Sequence, residues 1–187
     1  MGRKVRLSDV FNLERWNRAL SPEIFSIALG ASAAAARLLL SGLGLSADEY
    51  SEDRTQAWLE EHAAGVASGI NGATQYALGE ALAAGLVAGE VQKLFTGWAD
   101  ARAPQIARTE VTAAQGFGIR EAAQQAEREM TKTWATGSNP RSSHARMNGE
   151  TVAMGAFFSN GARWPGDSLL DDKERANCNC SMRVDLA

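Results

Sequence analysis

The chain has 187 residues, 45% of them hydrophobic, and a formal net charge of −3. That length can bury a sizeable core, and that apolar content belongs to a globular chain rather than a disordered one. The acidic balance argues against a dedicated nucleic-acid binder with a broad basic face, since Arg3, Lys4 and Arg6 make only a charged start. Two cysteines one residue apart form no secreted disulfide framework. The uncharged stretch from Ile24 to Ala36, stopped by Arg37, has too few strongly apolar residues for a signal or a membrane span. The expectation is a chain made in a reducing cytoplasm, without a membrane partner.

In chain order, Ser21-Pro22-Glu23 predicts a helix start, with proline at the first helical position. Ile24, Ile27, Ala28, Ala31, Ala35, Leu38 and Leu39 then fall at three- and four-residue steps and give one apolar face. Gly42-Leu43-Gly44 ends that helix. A second helix is expected from about Glu52 into Gly65, carrying Trp58 and Leu59, with His62 a surface histidine in a charged run. Glycines between Ala67 and Gly89 predict an interrupted helix. Ser46 to Glu49 and Ala88 to Val91 read as short breaks before renewed helix. Val91, Leu94, Phe95 and Trp98 make a further apolar stripe. Trp16, Phe25, Trp58 and Trp98 are expected in the core.

After Pro104 the residues Ala107, Val111, Ala114, Gly118, Ala122 and Ala126 form a stripe of small side chains, which allows a neighbouring helix to approach closely. Beyond Trp134 the composition changes. Gly137-Ser138-Asn139-Pro140 breaks the helix, and Asn148-Gly149 predicts a tight two-residue β-hairpin. Asn160-Gly161 and Pro165-Gly166-Asp167 mark further turns. Short strands joined by turns bury little, so this tail needs the helices, a metal or a partner to hold it.

The tail also gathers the scarce metal-ligand residues: His144, one of two histidines, and Cys178 and Cys180, the only cysteines. Sulfur and imidazole donors suit zinc in tetrahedral geometry. A fourth ligand is not evident; Asp167, Asp171, Asp172, Glu174, a partner chain or water are the candidates. Structural zinc, free thiols and a disulfide all stand open on the residues alone. The zinc-deaminase pattern fails, because Arg146 holds the place of its glutamate and the cysteines are one residue too close. No zinc-protease, phosphate-loop or nucleophile-elbow motif is present.

Ile106-Ala107-Arg108-Thr109-Glu110, Gly116 or Gly118, and Lys132-Thr133-Trp134 together resemble the phage Mu F-like family, the minor head or head-morphogenesis domain of tailed phages. The resemblance continues through Arg141-Ser142-Ser143-His144, Met147 to Val152, Phe157-Phe158, Trp164-Pro165-Gly166-Asp167 and Asn177-Cys178-Asn179-Cys180. It covers roughly residues 65 to 184, and the ordered set is more specific than any one word. It implies a low-copy structural protein of the virion, assembled in the host cytoplasm at or near the portal vertex. Its expected partners are portal and other head proteins, with contact to packaged DNA, and no catalytic activity of its own. Arg108 and Glu110 are expected to make a polar tie to the tail. Arg141 and Arg175 stand where relatives often carry further metal donors, and Arg141 is expected to fasten the tail to a nearby carboxylate instead.

The sequence therefore predicts an α+β protein, mainly a helical bundle with a small β-hairpin-rich C-terminal subdomain. Residues 1–64 form a helical region for portal or partner contact, and 65–187 the head-morphogenesis domain with a clip at about 137–187. Its marker residues are Arg108, Thr109, Glu110, Trp134, Arg141, Gly149, Pro165 and Gly166. Two other functions compete. One is a zinc-dependent hydrolase or transferase using Arg108, Glu110 and His144; the other is a zinc-clipped DNA-binding module.

Overall fold

In the computed structural model, which describes residues 7–187, three long helices precede a small antiparallel sheet. Helix α1 is Leu7–Val10, α2 is Leu13–Gly42, α3 is Asp53–Ala83 and α4 is Ala88–Gln125. Strand β1 (Met130–Ala135) follows, then the one-turn helix α5 (Ser142–Ala145), β2 (Thr151–Ala153), the one-turn helix α6 (Asp172–Arg175) and β3 (Ser181–Leu186). The mainly helical α+β architecture is thus as expected. Several local expectations are not met.

Pro22 begins no helix; it lies inside α2, as Pro104 lies inside α4. An interior proline costs about 3 kcal/mol, which packing along helices of 30 and 38 residues outweighs. The glycines of 65–79 do not interrupt α3 either, and a boundary near residue 64 falls within that helix. Where glycine does end a helix, the cause is local. Gly44 adopts φ +71°, the Leu45 N–H donates to the Leu40 carbonyl and the Gly44 N–H to Ser41. This is the six-to-one, five-to-two pattern of a Schellman cap. Gly85, at φ +80°, closes α3 in the same way.

Two compact units interleave along the chain. The first comprises residues 7–26 with Trp58–Ala103. Ile24, Ala63 and Ala67 form its small core, bordered by Leu20, Phe25, Val66 and Ile70. Asn71 Nδ2 donates to Asn17 Oδ1 at 2.8 Å. His62 is not a surface residue. It is buried and stacked on Trp58, one helical turn away, with ring centres 4.6 Å apart. The flanking glutamates suggested a solvated face, but positions four apart share a face whatever lies between them. Trp16 is exposed, against expectation, while Phe25, Trp58 and Trp98 are half-buried.

The second unit comprises Ile27–Ala57 and Pro104–Ala187. Here Ala28, Ser32, Ala36 and Leu40 of α2 are fully buried at four-residue steps, whereas Ile27 and Leu38 of the expected face are exposed. A methyl group at Gly118 of α4 would stand 2.2 Å from the Ser32 carbonyl oxygen, so the two backbones meet where only glycine fits. By length and composition α2 does qualify as a membrane span, with mean hydropathy 1.7 over its best window, contrary to the reading of residues 24–36. The buried line ending at Leu40 gives that apolarity a use within the fold. Ala107, by contrast, lies exposed on α4, while Ala114, Gly118, Ala122 and Ala126 are buried as expected.

The sheet order is β2-β1-β3, all antiparallel. It begins at Met130, so its central strand precedes the expected start of the clip and carries Trp134 within it. Asn148-Gly149 makes no two-residue hairpin, because residues 136–150, including α5, join β1 to β2. Met147 continues the turn after α5, its N–H donating to the His144 carbonyl, which leaves no strand before Asn148. Asn148 instead accepts from the Thr136 N–H at 3.0 Å. Gly149, at φ +84°, returns its N–H to the Trp134 carbonyl at 2.8 Å.

Candidate metal centre

His144 reaches the centre from α5, where the preceding Arg141 occupies the N-cap position. Cys178 and Cys180 lie on the extended run leading into β3. Alternate residues of extended chain share a face, so a one-residue spacing turns both sulfurs the same way. That physical reason for Cys-x-Cys was not drawn from the sequence. Asn177, at φ +58°, makes the bend between α6 and this run, a conformation asparagine tolerates better than most residues.

His144 Nδ1 lies 3.6 Å from Cys178 Sγ and 3.4 Å from Cys180 Sγ. All three donor atoms lie within 4.8 Å of one another and all three residues are buried. Sulfur and nitrogen ligands at ordinary zinc distances on a tetrahedron stand about 3.5 Å apart. The three residues are therefore spaced to hold a metal ion. Glu174 Oε2 stands 2.9 Å from His144 Nε2, off the line of the ring N–H, and accepts from Ser143 Oγ at 2.9 Å. A carboxylate beside the far nitrogen is the usual outer partner of a ligating histidine, and it favours Nδ1 as the metal-binding atom.

The other acidic candidates for a fourth ligand are engaged elsewhere or remote. Asp167 binds Arg163, Asp171 accepts from the Glu174 N–H as the cap of α6, and Asp172 is 99% exposed at its side chain beside Arg175. All three donors line one cavity of about 720 Å³, with Arg108, Arg141 and Asn177 on its walls, which leaves room for a water or a small ligand.

A hydrogen bond from the Cys178 thiol, with the Gly137 N–H and His144, draws the Cys180 pKa down to about 5 against the opposing effect of burial. The same bond, and burial, push Cys178 up. Both cysteines are free, so the disulfide alternative is not realised.

Around the centre the marker residues converge. Arg108 Nη1 donates to Asn177 Oδ1 at 2.7 Å, the Asn177 N–H donates to Thr109 Oγ1 at 2.8 Å, and Thr112 Oγ1 donates to the Cys178 carbonyl at 2.9 Å. Glu110 stands 3.9 Å from Arg175. The expected polar tie from α4 to the tail is present, with Thr109 and Thr112 joining Arg108 and Glu110 in it. Arg141 finds no carboxylate; it donates to the backbone carbonyls of Glu174 (2.8 Å) and Ala176 (2.5 Å), which are orphan acceptors at the end of α6.

No family model, curated protein or solved structure matches the chain.

A second polar cluster escaped the sequence reading. Lys132 of β1 is 1% exposed, donates from Nζ to the Arg163 carbonyl at 2.7 Å and lies 5.0 Å from the centre of the Phe158 ring. Asp167, fully buried, accepts from Arg163 Nε, Nη2 and N–H, all at 2.8 Å, and from the Leu169 N–H at 3.1 Å. Burial alone would raise the Asp167 pKa, but these bonds hold it below the usual carboxylate range. Pro165-Gly166 forms the turn, with Gly166 at φ +83° set so close to Ala113 that an added Cβ would meet its backbone at 3.0 Å. Trp164, edge-on to Phe117, is flanked by the Arg163 and Arg120 guanidiniums at 4.3 and 5.6 Å. Lys132 in a buried strand position was the available signal, since an even-numbered neighbour of Met130 and Trp134 must face the core.

Proposed function

We propose that this chain is a minor structural protein of a tailed-phage head, acting at or near the portal in capsid assembly and DNA packaging or delivery. In this reading a structural zinc on His144, Cys178 and Cys180 fastens its C-terminal residues. The observation that carries the reading is convergence. Words spread from Arg108 to Cys180, whose order resembles Mu F-like proteins, meet around one three-donor centre. Each serves packing or fastening there: Arg108 and Thr109 hold Asn177, Arg141 caps α6, and Trp134 packs edge-on to His144 at 5.3 Å. A region of short strands with a small core gains its rigidity from such a clip.

Virion association is the test. The chain is tagged in the phage or prophage that encodes it, and particles are purified on a density gradient. Co-migration of a few copies with DNA-filled heads is expected, with particles lacking the chain failing in assembly or delivery. A chain found only in the soluble fraction, with normal infectious particles in its absence, overturns the proposal.

The cavity beside the donors favours one second reading, a zinc-dependent hydrolase or transferase. It places Arg108 and His144 on a common wall, but Glu110, the third residue of that reading, turns to Arg175 instead.

A further inference from the structure

Strand β3 is an edge of the sheet, and its hydrogen bonds are half used. The Ala187 N–H donates to the Glu129 carbonyl at 2.9 Å, and the register Met130↔Leu186 through Ala135↔Ser181 continues that ladder. In an antiparallel pair, bonded and non-bonded positions alternate. The odd-numbered residues of β3 therefore bond to β1, and Met182, Val184 and Leu186 turn their N–H and C=O groups away from it. Among the described residues none donates to or accepts from these outward groups. Met182 and Val184 border a groove of about 530 Å³ whose other walls include Leu38 and Leu39 of α2, Leu43 just beyond its end, and Ile119 of α4. Leu38 is 74% exposed and Leu186 51% exposed, at the margins of a strand that otherwise buries Met182 and Val184.

Such an edge attracts another strand, and the side chains of β3 specify which one. The outer face of β3 carries Arg183 and Asp185, both exposed. A second β3 running antiparallel about a two-fold axis must bring outward even-numbered groups to outward even-numbered groups. Three central registers meet that condition. Centring on residue 183 sets Arg183 against the partner's Arg183, and centring on 185 sets Asp185 against the partner's Asp185. Centring on Val184 sets Arg183 against the partner's Asp185 twice over, Met182 against the partner's Leu186, and Val184 against itself. Like charges directly opposite oppose pairing and unlike charges favour it, so charge selects one register of the three.

We propose that β3 is the pairing edge of a homodimer, two copies joining antiparallel at Val184 into one continuous six-stranded sheet. In that arrangement the outward groups of Met182, Val184 and Leu186 are paired, and Leu186 is covered by the partner's Met182. The partner's even-numbered side chains turn toward the helix side, where Leu38 stands exposed. The Arg183–Asp185 pair within each chain, 3.0 Å apart, exchanges for two pairs between chains. The proposal depends neither on the metal nor on a role in a phage head.

Sedimentation of the full chain from micromolar to millimolar concentration tests it, with three variants. A dimer is expected. Arg183→Asp and Asp185→Arg each set like charges opposite one another and should raise the dimer dissociation constant roughly tenfold or more. The double variant Arg183→Asp/Asp185→Arg restores unlike charges in the same register and should recover wild-type affinity. Both positions are exposed, so unfolding midpoints of the monomer should stay together. Hydrogen exchange supplies the second readout. Amides of Met182, Val184 and Leu186 should slow as concentration rises, whereas those of Arg183 and Asp185 are protected throughout. A chain monomeric at millimolar concentration overturns the proposal, as does a dimer indifferent to the single reversals or one not recovered by the double.

Discussion

Lys132→Met isolates the energetic consequence of a buried amine. Burial, assisted by Arg120 and Arg163 and opposed by Asp167, lowers the Lys132 pKa from 10.5 to about 8. A change of that size corresponds to roughly 3 kcal/mol of differential stability between the charged and neutral forms. Between about pH 8 and 10.5 the unfolded chain keeps this proton and the folded chain releases it. Stability therefore rises with pH through that window, and below it the folded protein bears the whole cost of the buried charge. Methionine keeps most of the volume and removes the charge, but leaves the Arg163 carbonyl without its donor, a loss of about 1–3 kcal/mol. The two effects oppose each other at pH 7, where the variant should match wild type within about 2 kcal/mol. At pH 10.5 only the loss remains, and wild type should lead by about 3 kcal/mol more than at pH 7. Urea unfolding of both proteins at a series of pH values measures this difference, with all other titrating groups cancelling. Parallel stability curves across the window would refute the reasoning.

Other predictions concern the clip and the helix contact. If the proposed zinc clip holds, the wild-type chain should bind about one zinc, and His144→Ala and Cys178→Ser should each abolish that binding and open the tail to protease while the helices persist. Elemental analysis with limited proteolysis checks this, and unchanged zinc content in either variant would count against the centre. Gly118→Ala, whose new methyl meets the Ser32 carbonyl oxygen at 2.2 Å, should cost about 1–3 kcal/mol or more. Gly65→Ala, on an exposed helical site with open space around it, should instead stabilise by up to about 1 kcal/mol; thermal melts that rank the two the other way would contradict the packing. Asp167→Asn should cost about 2–4 kcal/mol at neutral pH. Because the folded Asp167 pKa is depressed, its contribution stands above the ordinary carboxylate pKa and fades as pH falls through the folded value. The gap between variant and wild type should narrow in acid, read by denaturant midpoints.

What the sequence determined by itself was what local chemistry dictates. The helix end at Gly44 needs only a residue that tolerates positive φ, so a glycine past an apolar stripe announces it. The soft donors His144, Cys178 and Cys180 were legible because such residues are scarce in this chain, and the tie from Arg108 and Glu110 to the tail because charged residues at the head of a small-residue helix call for polar partners; the share taken by Thr109 and Thr112 was not. Tertiary structure decided the rest. Whether Pro22 and Pro104 start helices or sit inside them depends on packing along the whole helix, which a local rule cannot weigh. Whether Asn148-Gly149 closes a hairpin depends on a strand existing before it, and the strand that pairs lies a loop away at Met130–Ala135. His62 finds Trp58, Arg141 finds two carbonyls of α6, and Glu174 finds the far nitrogen of His144. A side chain's type fixes which partners it can accept, but only the folded chain brings one of them within three or four ångströms.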